Sequence, residues 1–220
     1  MSDTGYRGRV DARRARGSYA KGRIRREEIV RAALEVFAEQ GYRGGSLVAV
    51  ARRVGLSDAG IIHHFPSKEH LLMEVLQLCE AEDRAWVRAV TADDQVDGVP
   101  AMPWPDRVLE AGRRMISRPE VARLAATLAV ESVHPDHPAH VWFRDRHRRL
   151  RREIADGLRA EQRLGHIPPD ADPDLFAVHL LAVLVGLQNQ WLLDPEGIDL
   201  VAVLADYLAP YRVAGPVPKT

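Results

Sequence analysis

Three short helical patterns between residues 26 and 71, with a tight turn between the last two, constrain the fold of this chain more than any other feature. In the first pattern, Ile29, Ala33 and Phe37 recur at three- and four-residue spacing, which places them on one face of a helix. Gly41 predicts the end of that helix, because glycine commonly follows a helix C-terminus. The segment therefore predicts a small helical domain near the N-terminus.

The second and third helical patterns each begin behind a serine. Ser46 precedes the pattern 47–54 and Ser57 precedes the pattern 58–65, and a serine hydroxyl can cap the N-terminus of a helix. Two short helices joined by a turn of about three or four residues that contains glycine, here Gly55, form a helix-turn-helix. The second helix of such a pair can enter the major groove of DNA. Structural helix pairs with a glycine turn are also common, so the spacing alone leaves both interpretations open.

The run GYRGGSLVAVARRVGLSDAGIIHHFPSKEHLL resembles the DNA-binding domain of the TetR family of transcriptional repressors. The matching features are the Gly41-Tyr42 turn, Ser46, Ala51, Gly55-Leu56-Ser57, His64-Phe65, and the Ser67-Lys68-Glu69 opening of a fourth helix. The resemblance covers about residues 26–72, and beyond them only the helical character and the length of the chain match. It implies a homodimeric DNA-binding repressor that responds to a small molecule.

The charge of the chain is distributed unevenly. Residues 1–26 hold nine basic and two acidic residues, a net charge of +7, so the remaining residues carry −7 in a chain whose total is zero. A basic arm on an acidic body is typical of a nucleic-acid-binding protein. We predict a flexible arm over residues 1–25 that leads into DNA contacts at Arg23, Arg25 and Arg26. The alternative is a soluble tail without a partner.

The composition is that of an ordinary globular protein, with 46% apolar and 28% charged residues among 220. No run approaches the roughly 18 uninterrupted apolar residues of a membrane span, and the charged N-terminus lacks the apolar segment of a secretory signal. The single cysteine, Cys79, cannot form an internal disulfide and is predicted to be a buried thiol. We therefore expect a cytoplasmic protein without a membrane partner.

Beyond the arm, the sequence predicts an all-α fold of about nine helices in two domains. The first is the helix-turn-helix domain, residues 26–72, and the second is a larger effector-binding and dimerisation domain, residues 73–210, before a flexible tail at 211–220. The segment 93–105 is a predicted loop, because it is rich in Asp, Gly and Pro. The helices after the first three are predicted at about 68–92, 106–117, 120–132, 139–164, 174–193 and 198–209.

The expected DNA contacts follow from the helix-turn-helix. Besides the arginines of the arm they are Ser46, Ser57, Asp58, Ala59, Gly60, Ile62, His63, His64 and Lys68. Lys68 and the serines are expected at phosphates, and the outward residues of the third helix at base edges. The chain departs from the family pattern at Asp58 and Ile62, where many relatives have Lys and Tyr. This departure places more of the expected affinity on the basic arm.

The resemblance also implies a small-molecule pocket among the middle helices. The candidate lining residues are Trp86, Met102, Trp104, Met115, Trp142, Phe143, His179 and Gln188. Such a largely apolar set with a few polar groups suits a hydrophobic or amphipathic effector, whose identity the sequence does not reveal. The alternative for each of these residues is ordinary core packing.

The pattern at 174–193 is apolar nearly all round, and such a helix must be covered on most sides. It could be a central core helix or half of a subunit interface. In the TetR family the last two helices form a four-helix bundle with those of a second subunit. The resemblance therefore implies a homodimer interface, for which the candidate residues are Leu180, Val183, Leu187, Trp191, Val203 and Tyr207.

Two further clusters have unremarkable interpretations. The segment 131–140 holds metal-binding residue types, namely Glu131, His134, Asp136, His137 and His140, but its prolines favour a solvated loop, and we predict no metal site. The run RDRHRRLRRE at 144–153 contains an apolar stripe, so its arginines are predicted on the solvated face of a helix, paired with Glu153, Asp156 and Glu161. A second nucleic-acid patch is the alternative.

No catalytic motif is present: the sequence lacks a G-x-S-x-G elbow, a Walker loop, an H-E-x-x-H pair and a dinucleotide fingerprint. We therefore predict a protein that is not an enzyme and needs no cofactor. The expected function is a ligand-responsive repressor that binds a palindromic double-stranded DNA operator. One alternative is an effector-independent DNA-binding regulator or architectural protein. A more remote one is a helical ligand-binding protein without DNA binding.

Overall fold

A computed structural model describes residues 4–92, 95–96, 99–100 and 102–211, with side chains from Gly22 onward except at residues 91–101. Nine α-helices lie in the described part: α1 Thr4–Gly44, α2 Leu47–Arg53, α3 Asp58–His64, α4 Lys68–Ala92, α5 Trp104–Ile116, α6 Pro119–Glu131, α7 His140–Arg163, α8 Pro173–Leu193 and α9 Leu200–Leu208. A short 3₁₀ helix, Ala209–Tyr211, follows α9. The all-α prediction is confirmed, and the predicted tail lies, apart from its first residue, outside the described residues.

The predicted loop at 93–105 contains a small strand pair. Strand β1, Gln95–Val96, pairs antiparallel with strand β2, Val99–Pro100. Val96 and Val99 are β-branched residues that favour extended backbone, which the loop prediction did not consider. The start of α5 at Trp104 also takes in the last two residues of the predicted loop.

Helix α1 begins earlier than the sequence predicted. It starts at Thr4, inside the predicted flexible arm, and Gly41 interrupts it with a φ of 70°. The upstream segment is rich in Arg and Ala, which are good helix formers, so the backbone can continue the helix in spite of its glycines. The flexibility of the arm stays a prediction. The predicted break at Gly41 is confirmed, because only glycine adopts that φ readily.

The chain divides within α4 into two units, Met1–Leu78 and Cys79–Thr220, a few residues beyond the predicted domain boundary. The first unit packs the apolar stripe of α1 against the short helices and the start of α4. Its fully buried side chains include Ile29, Ala33, Phe37, Val50, Ala51, Ile61, Phe65, Leu71, Leu72 and Val75. Burying a side chain of this kind contributes about 1.5–3 kcal/mol, so these few residues give the small unit its core.

The second unit has its own core, formed by α5 to α9. Its buried cluster comprises Trp104, Val108, Leu109, Ala122, Leu158, Ile167, Phe176, Leu180, Leu187, Trp191, Leu200, Leu204 and Leu208. Helix α8 packs against α6, α7 and α9. By length and composition it is also the one helix in the described part that could cross a membrane. Its buried residues Phe176, Leu180 and Leu187 are those of a core helix in a folded domain.

Candidate nucleic-acid interface

The helix pair α2 and α3 has the capped, tightly turned geometry that the sequence predicted. The hydroxyl of Ser46 accepts from the N–H of Ala49 at 3.1 Å, and that of Ser57 accepts from Gly60 at 3.1 Å. Between the helices, Gly55 has a φ of 67°, and the N–H of Leu56 donates to the carbonyl of Ala51 at 2.8 Å. These bonds satisfy backbone groups at both ends of α2 and at the start of α3, and they fix the direction in which α3 leaves the turn.

Helix α3 presents one side to the core and the other to solvent. Ile61 is only 1% exposed, whereas Ile62 is 55% exposed. Asp58, Ala59 and His63 are exposed with Ile62, and Gly60 and His64 are half-buried. The outward side of α3 therefore carries the residues predicted to face base edges.

Two of the arginines expected at DNA make internal contacts instead. Arg25 donates to the carbonyl of Val54 at 2.6 Å, and Arg26 donates to the carbonyl of His64 at 2.8 Å. Helix C-termini leave carbonyl groups without helical partners, and a guanidinium is a strong donor to them.

Arg26 also pairs with Glu74 at 2.9 Å. Its guanidinium carbon lies 4.3 Å from the centre of the Phe65 ring. The two arginines thus fasten α1 to the ends of α2 and α3.

Lys68 makes a third contact of the same kind. Its ammonium donates to the carbonyls of Tyr42 at 2.9 Å and Gly45 at 3.0 Å, and it lies 4.4 Å from the centre of the Tyr42 ring. A lysine ammonium has three donor hydrogens, and these carbonyls occupy it at the end of α1. The geometry gives Lys68 a capping role, whereas the sequence suggested a phosphate ligand.

Other cations of the first unit are available to an anion. In the part of the chain with described side chains, Arg23, Arg43 and Arg52 are exposed and form no ion pair. Arg53, next to Arg52, pairs instead with Glu39 at 3.0 Å. Arg43 and Arg52 are not among the DNA contacts predicted from the sequence. The sequence alone does not show that Arg53 is paired while Arg52 is not, because the partner of Arg53, Glu39, lies on another helix.

The two adjacent histidines of α3 differ in their surroundings. His63 is exposed, whereas the half-buried His64 has its pKa lowered, first by burial and then by the positive charge of His63, Arg25 and Arg26. The ring centres are 5.6 Å apart. The neutral form of His64 is therefore favoured at the C-terminus of α3, where Arg26 donates to its carbonyl.

The residues proposed for an effector pocket fall into separate groups. Trp104 and Met115 belong to the core of the second unit, and the amide of Gln188 donates to the carbonyl of Ala122 at 2.8 Å.

Trp142 and Phe143 pack edge to face with ring centres 4.9 Å apart. Met102 is half-buried, and its carbonyl accepts a hydrogen bond from the side chain of Arg107. His179 is exposed on α8. Trp86 lies beside Arg114, 5.3 Å from the guanidinium carbon to the ring centre.

Trp104 is held on several sides within the chain. A Cβ at Gly157 would lie 2.2 Å from its ring atoms, so the indole packs directly on the backbone of α7. Its backbone N–H donates to the buried carboxylate of Glu161 at 3.0 Å, and the second oxygen of Glu161 is 2.8 Å from Nδ1 of His166. Glu161 therefore anchors the start of α5 and does not pair with the arginines of α7, contrary to the sequence prediction.

Half of the residues proposed for a dimer interface are buried within the chain itself. Leu180, Leu187 and Trp191 lie in the core of the second unit, and Val183 and Tyr207 pack partly against it. Val203 is exposed on α9. A different set of apolar residues on α8 faces outward at helical spacing: Leu175, Val178, Ala182, Val185 and Leu193.

The histidine-rich segment 131–140 is more ordered than a solvated loop. His137 is buried, and its Nδ1 accepts from the N–H of Ala139 at 3.2 Å. Nδ1 of His140 lies 2.8 Å from the carbonyl oxygen of Ser132. The solvated-loop prediction is correct only for residues 133–136, because local hydrogen bonds draw the other histidines inward. Among the described residues, no three His, Cys, Asp or Glu side chains are arranged to hold a metal ion.

Family models match both units of the chain. The model for bacterial regulatory proteins of the tetR family matches residues 29–75, and the model for the C-terminal domain of BetI-type transcriptional repressors matches residues 106–211. Together the two matches cover well over half of the chain. The first contains α2 and α3 with the capped turn, and the second contains α5 to α9.

Individual relatives agree with these matches. The chain is 29% identical over 168 residues, 74% of its length and 78% of the relative's, to the transcriptional repressor AcnR of Corynebacterium diphtheriae. It is 25% identical to the transcriptional regulator TtgR of Pseudomonas putida over 80% of this chain and 84% of that one. Among solved structures, a transcriptional regulator of Saccharomonospora viridis in complex with choline superposes with a TM-score of 0.68 at 24% identity, covering 84% of this chain and 95% of the other.

Proposed function

The chain belongs to the TetR family of bacterial transcriptional regulators, which are DNA-binding proteins and not enzymes, and we propose that it represses its target genes as an effector-released homodimer. The observation that carries this proposal is the geometry of α3. Its outward side faces solvent. Its other side is held by the buried side chain of Ile61 and by the hydrogen bond from Arg26 to the carbonyl of His64. Such a helix can lie in the major groove without rearrangement of the unit that holds it.

Base contacts on this surface come from few side chains. Asp58 can accept from the amino group of cytosine, and the exposed Ile62 can contact the methyl group of thymine. His63 can donate to or accept from a purine edge according to its tautomer. We assign sequence recognition to these three residues.

Phosphate contacts come from groups around the helix-turn-helix. Arg23, Arg43 and Arg52 are the exposed cations that carry no ion pair in the described part of the first unit. The hydroxyls of Ser46 and Ser57 accept one hydrogen bond each and retain a hydrogen to donate. These groups, together with the basic residues of the arm, supply affinity without sequence preference.

A second copy of the chain is the proposed partner of the outward face of α8. Leu175, Val178, Ala182 and Val185 form an apolar stripe there, and Val203 adds an exposed apolar residue on α9. A two-fold dimer buries the same patch on both subunits and pairs two α3 helices with two half-sites of a palindrome. This surface replaces the buried residues Leu180, Leu187 and Trp191 as the proposed contact.

Effector release is the regulatory half of the proposal. A small molecule that binds the second unit lowers DNA affinity through a coupling free energy of about 1–3 kcal/mol. The similar structure from Saccharomonospora viridis contains choline. At 24% identity, that similarity is evidence for the fold only. We place the protein in the cytoplasm, where its operator lies.

Selection of bound sequences from random double-stranded DNA tests the proposal. The wild-type protein is expected to enrich a two-fold symmetric motif, and the His63→Ala variant is expected to enrich a motif with relaxed preference at one symmetric pair of positions. A variant that replaces Val141, an exposed residue of α7, with alanine is the control and should return the wild-type motif. Failure of the wild-type protein to enrich any motif would overturn the proposal.

A further inference from the structure

A cluster of arginines surrounds the carboxylates of α4 in the second unit. Asp83 lies within 3.3 Å of Arg114 on α5, 3.4 Å of Arg146 on α7, and 4.0 Å of Arg118 at the start of α6. Glu82 pairs with Arg118 as well. The guanidiniums are drawn from three different elements, and the carboxylates all belong to α4.

The positive charge in this cluster exceeds the negative charge. Two carboxylates, Glu82 and Asp83, meet three guanidiniums, those of Arg114, Arg118 and Arg146. The side chains of Asp83, Arg114, Arg118 and Arg146 are 20–34% exposed. They are therefore partly desolvated, which strengthens their attraction for an anion, and still open to a molecule from solution.

The contacts of Asp83 with Arg114 and Arg146 are long, so another acceptor can bind these arginines more closely. A charge-assisted N–H···O bond is normally about 2.7–2.9 Å long, whereas the contacts of Asp83 with Arg114 and Arg146 are 3.3 and 3.4 Å. One carboxylate shared by three guanidiniums cannot meet all of them in the planar bidentate geometry. A free carboxylate or phosphate is not tethered to α4, so it can form the shorter contacts with Arg114 and Arg146 that Asp83 does not make.

Two tryptophans border the arginines. The guanidinium carbon of Arg114 lies 5.3 Å from the centre of the Trp86 ring, and that of Arg146 lies 5.5 Å from the centre of the Trp142 ring. Both indoles are half-buried. They offer apolar area for the body of a ligand, and the arginines beside their faces repel a cationic one.

We propose that Arg114, Arg118 and Arg146, with Trp86 and Trp142, form a binding site for an aromatic or amphipathic anion that displaces Asp83. The anionic group takes the place of the Asp83 carboxylate, and the apolar body lies against the indoles. This inference rests on the proposed function, since it names the chemical class of the effector.

Displacement of Asp83 gives the ligand a route to regulation. Asp83 links α4 to α5 and α7 through Arg114 and Arg146, and a ligand that takes those arginines removes the link. Helix α4 continues without interruption from Lys68 to Ala92. The bound anion therefore favours a state in which α4 has lost its Asp83 links to α5 and α7 and keeps the Glu80–Arg149 and Glu82–Arg118 pairs. Linkage requires that operator DNA and the anion weaken each other's binding equally.

Ligand titration of the full chain tests the site, with naphthoate and naphthyl phosphate as probes and naphthalenemethanol, naphthylmethylamine and choline as neutral and cationic comparisons. Calorimetry measures the affinity. We expect saturable binding of the anions and at least about tenfold weaker binding of the comparison compounds, the difference of one charge-assisted hydrogen bond. Equal affinity for naphthoate and naphthalenemethanol, or no binding of either anion up to about 10 mM, would overturn the proposal.

Three variants locate the site. Arg114→Gln should weaken naphthoate binding at least about tenfold, because it removes a charge-assisted donor. Asp83→Asn should tighten naphthoate binding, because it removes the competing carboxylate; this gain cannot arise from misfolding. Arg159→Gln is the control, since Arg159, like Arg114, pairs with a carboxylate on another helix, here Asp174, but does not belong to the cluster. An Arg159→Gln loss equal to that of Arg114→Gln would contradict the site, as would weaker binding by Asp83→Asn.

Operator binding is measured separately on the same proteins. Release of a selected operator by naphthoate supports both the site and the proposed function. Naphthoate binding that depends on Arg114 but leaves operator affinity unchanged establishes the anion site and contradicts its role as the effector site. Absence of operator binding by the unliganded protein contradicts the proposed function, and the calorimetric result still decides the site.

Discussion

Arg26 donates to the carbonyl oxygen of His64 at 2.8 Å, so that a side chain near the middle of α1 caps the C-terminus of the recognition helix α3. Arg25 does the same for the end of α2 at Val54. Lys68 completes the set at the end of α1. Three cations expected at DNA thus make hydrogen bonds inside the protein that orient α3, and we propose other residues for the phosphate contacts.

The contrasting roles of Lys68 and Arg52 give the first prediction. Lys68→Met should lower the free energy of unfolding by about 2 kcal/mol, because buried carbonyls lose a charged donor. It should leave the slope of log binding constant against log salt concentration unchanged. Arg52→Gln should leave stability unchanged and reduce that slope by about 0.9, the value of one phosphate contact. Denaturant unfolding and DNA titrations at several salt concentrations make both measurements, and a reduced slope in Lys68→Met would restore its phosphate role.

The basic arm gives a second prediction. Removal of residues 1–22 should weaken operator binding and flatten its salt dependence, because it eliminates six of the basic residues in the N-terminal segment. Fluorescence anisotropy with a labelled operator at increasing salt measures the effect. A truncated protein with the wild-type slope would show that the arm makes no phosphate contact.

The outward face of α8 gives a third prediction. Val178→Arg should convert the dimer into a monomer and abolish tight operator binding, because it places an unpaired charge in an apolar interface. Val141→Arg on α7 is the matched control: the two valines are similarly exposed, 49% and 54%, and only Val178 lies on the proposed contact. Light scattering coupled to size-exclusion chromatography measures the mass. A dimeric Val178→Arg protein would exclude this face as the interface.

The close approach of Trp104 to Gly157 gives a fourth prediction. Gly157→Ala should lower the free energy of unfolding by about 1–3 kcal/mol, because a Cβ there would lie 2.2 Å from the indole and overpack the core. Gly165→Ala tests a glycine with open space around it, where strain from its φ of 75° is the only cost. Thermal and denaturant unfolding measure both. A Gly157→Ala protein as stable as the wild type would contradict the packing described for Trp104.

The half-buried His64 gives a fifth prediction. Because burial and neighbouring cations lower its pKa, the midpoint of its titration in the folded protein should lie below 6.5. The unfolded state then binds more protons in the interval between that midpoint and 6.5. The stability that His64 contributes is therefore complete above pH 6.5 and is lost as the pH falls through its folded pKa. NMR titration, with the signal assigned by a His64→Gln variant, would contradict this with a midpoint at or above 6.5.

The sequence predicted helices well where the periodicity and the caps agreed. Ser46 and Ser57 mark the starts of α2 and α3, and α8, which Asp172 caps, begins at Pro173, one residue before the predicted start. Helix α8 shows the limit: it is apolar nearly all round, so no periodicity distinguishes its buried face from its exposed face. Leu180 and Val178 are equivalent choices in the sequence, and only the packing of α6, α7 and α9 separates them.

The side-chain partners of cations were also beyond the sequence. Lys68 and Arg26 contact groups 23 to 48 residues away, and these contacts arise only when the helices pack. The same holds for Asp83, whose partner Arg146 is 63 residues away. Residue type and helix position thus predicted which residues of α3 face solvent, but not which cations pair with groups inside the protein.

The number of chains bound to one selected operator tests the central claim most directly. Analytical ultracentrifugation of the protein with a duplex carrying the complete motif, and with a duplex in which one half-site is scrambled, measures it. We predict whole dimers on the complete motif, with half-sites separated by one helical turn of about 34–36 Å or a multiple of it, and a large loss of affinity on the scrambled duplex. A single chain bound with equal affinity to both duplexes would contradict the claim.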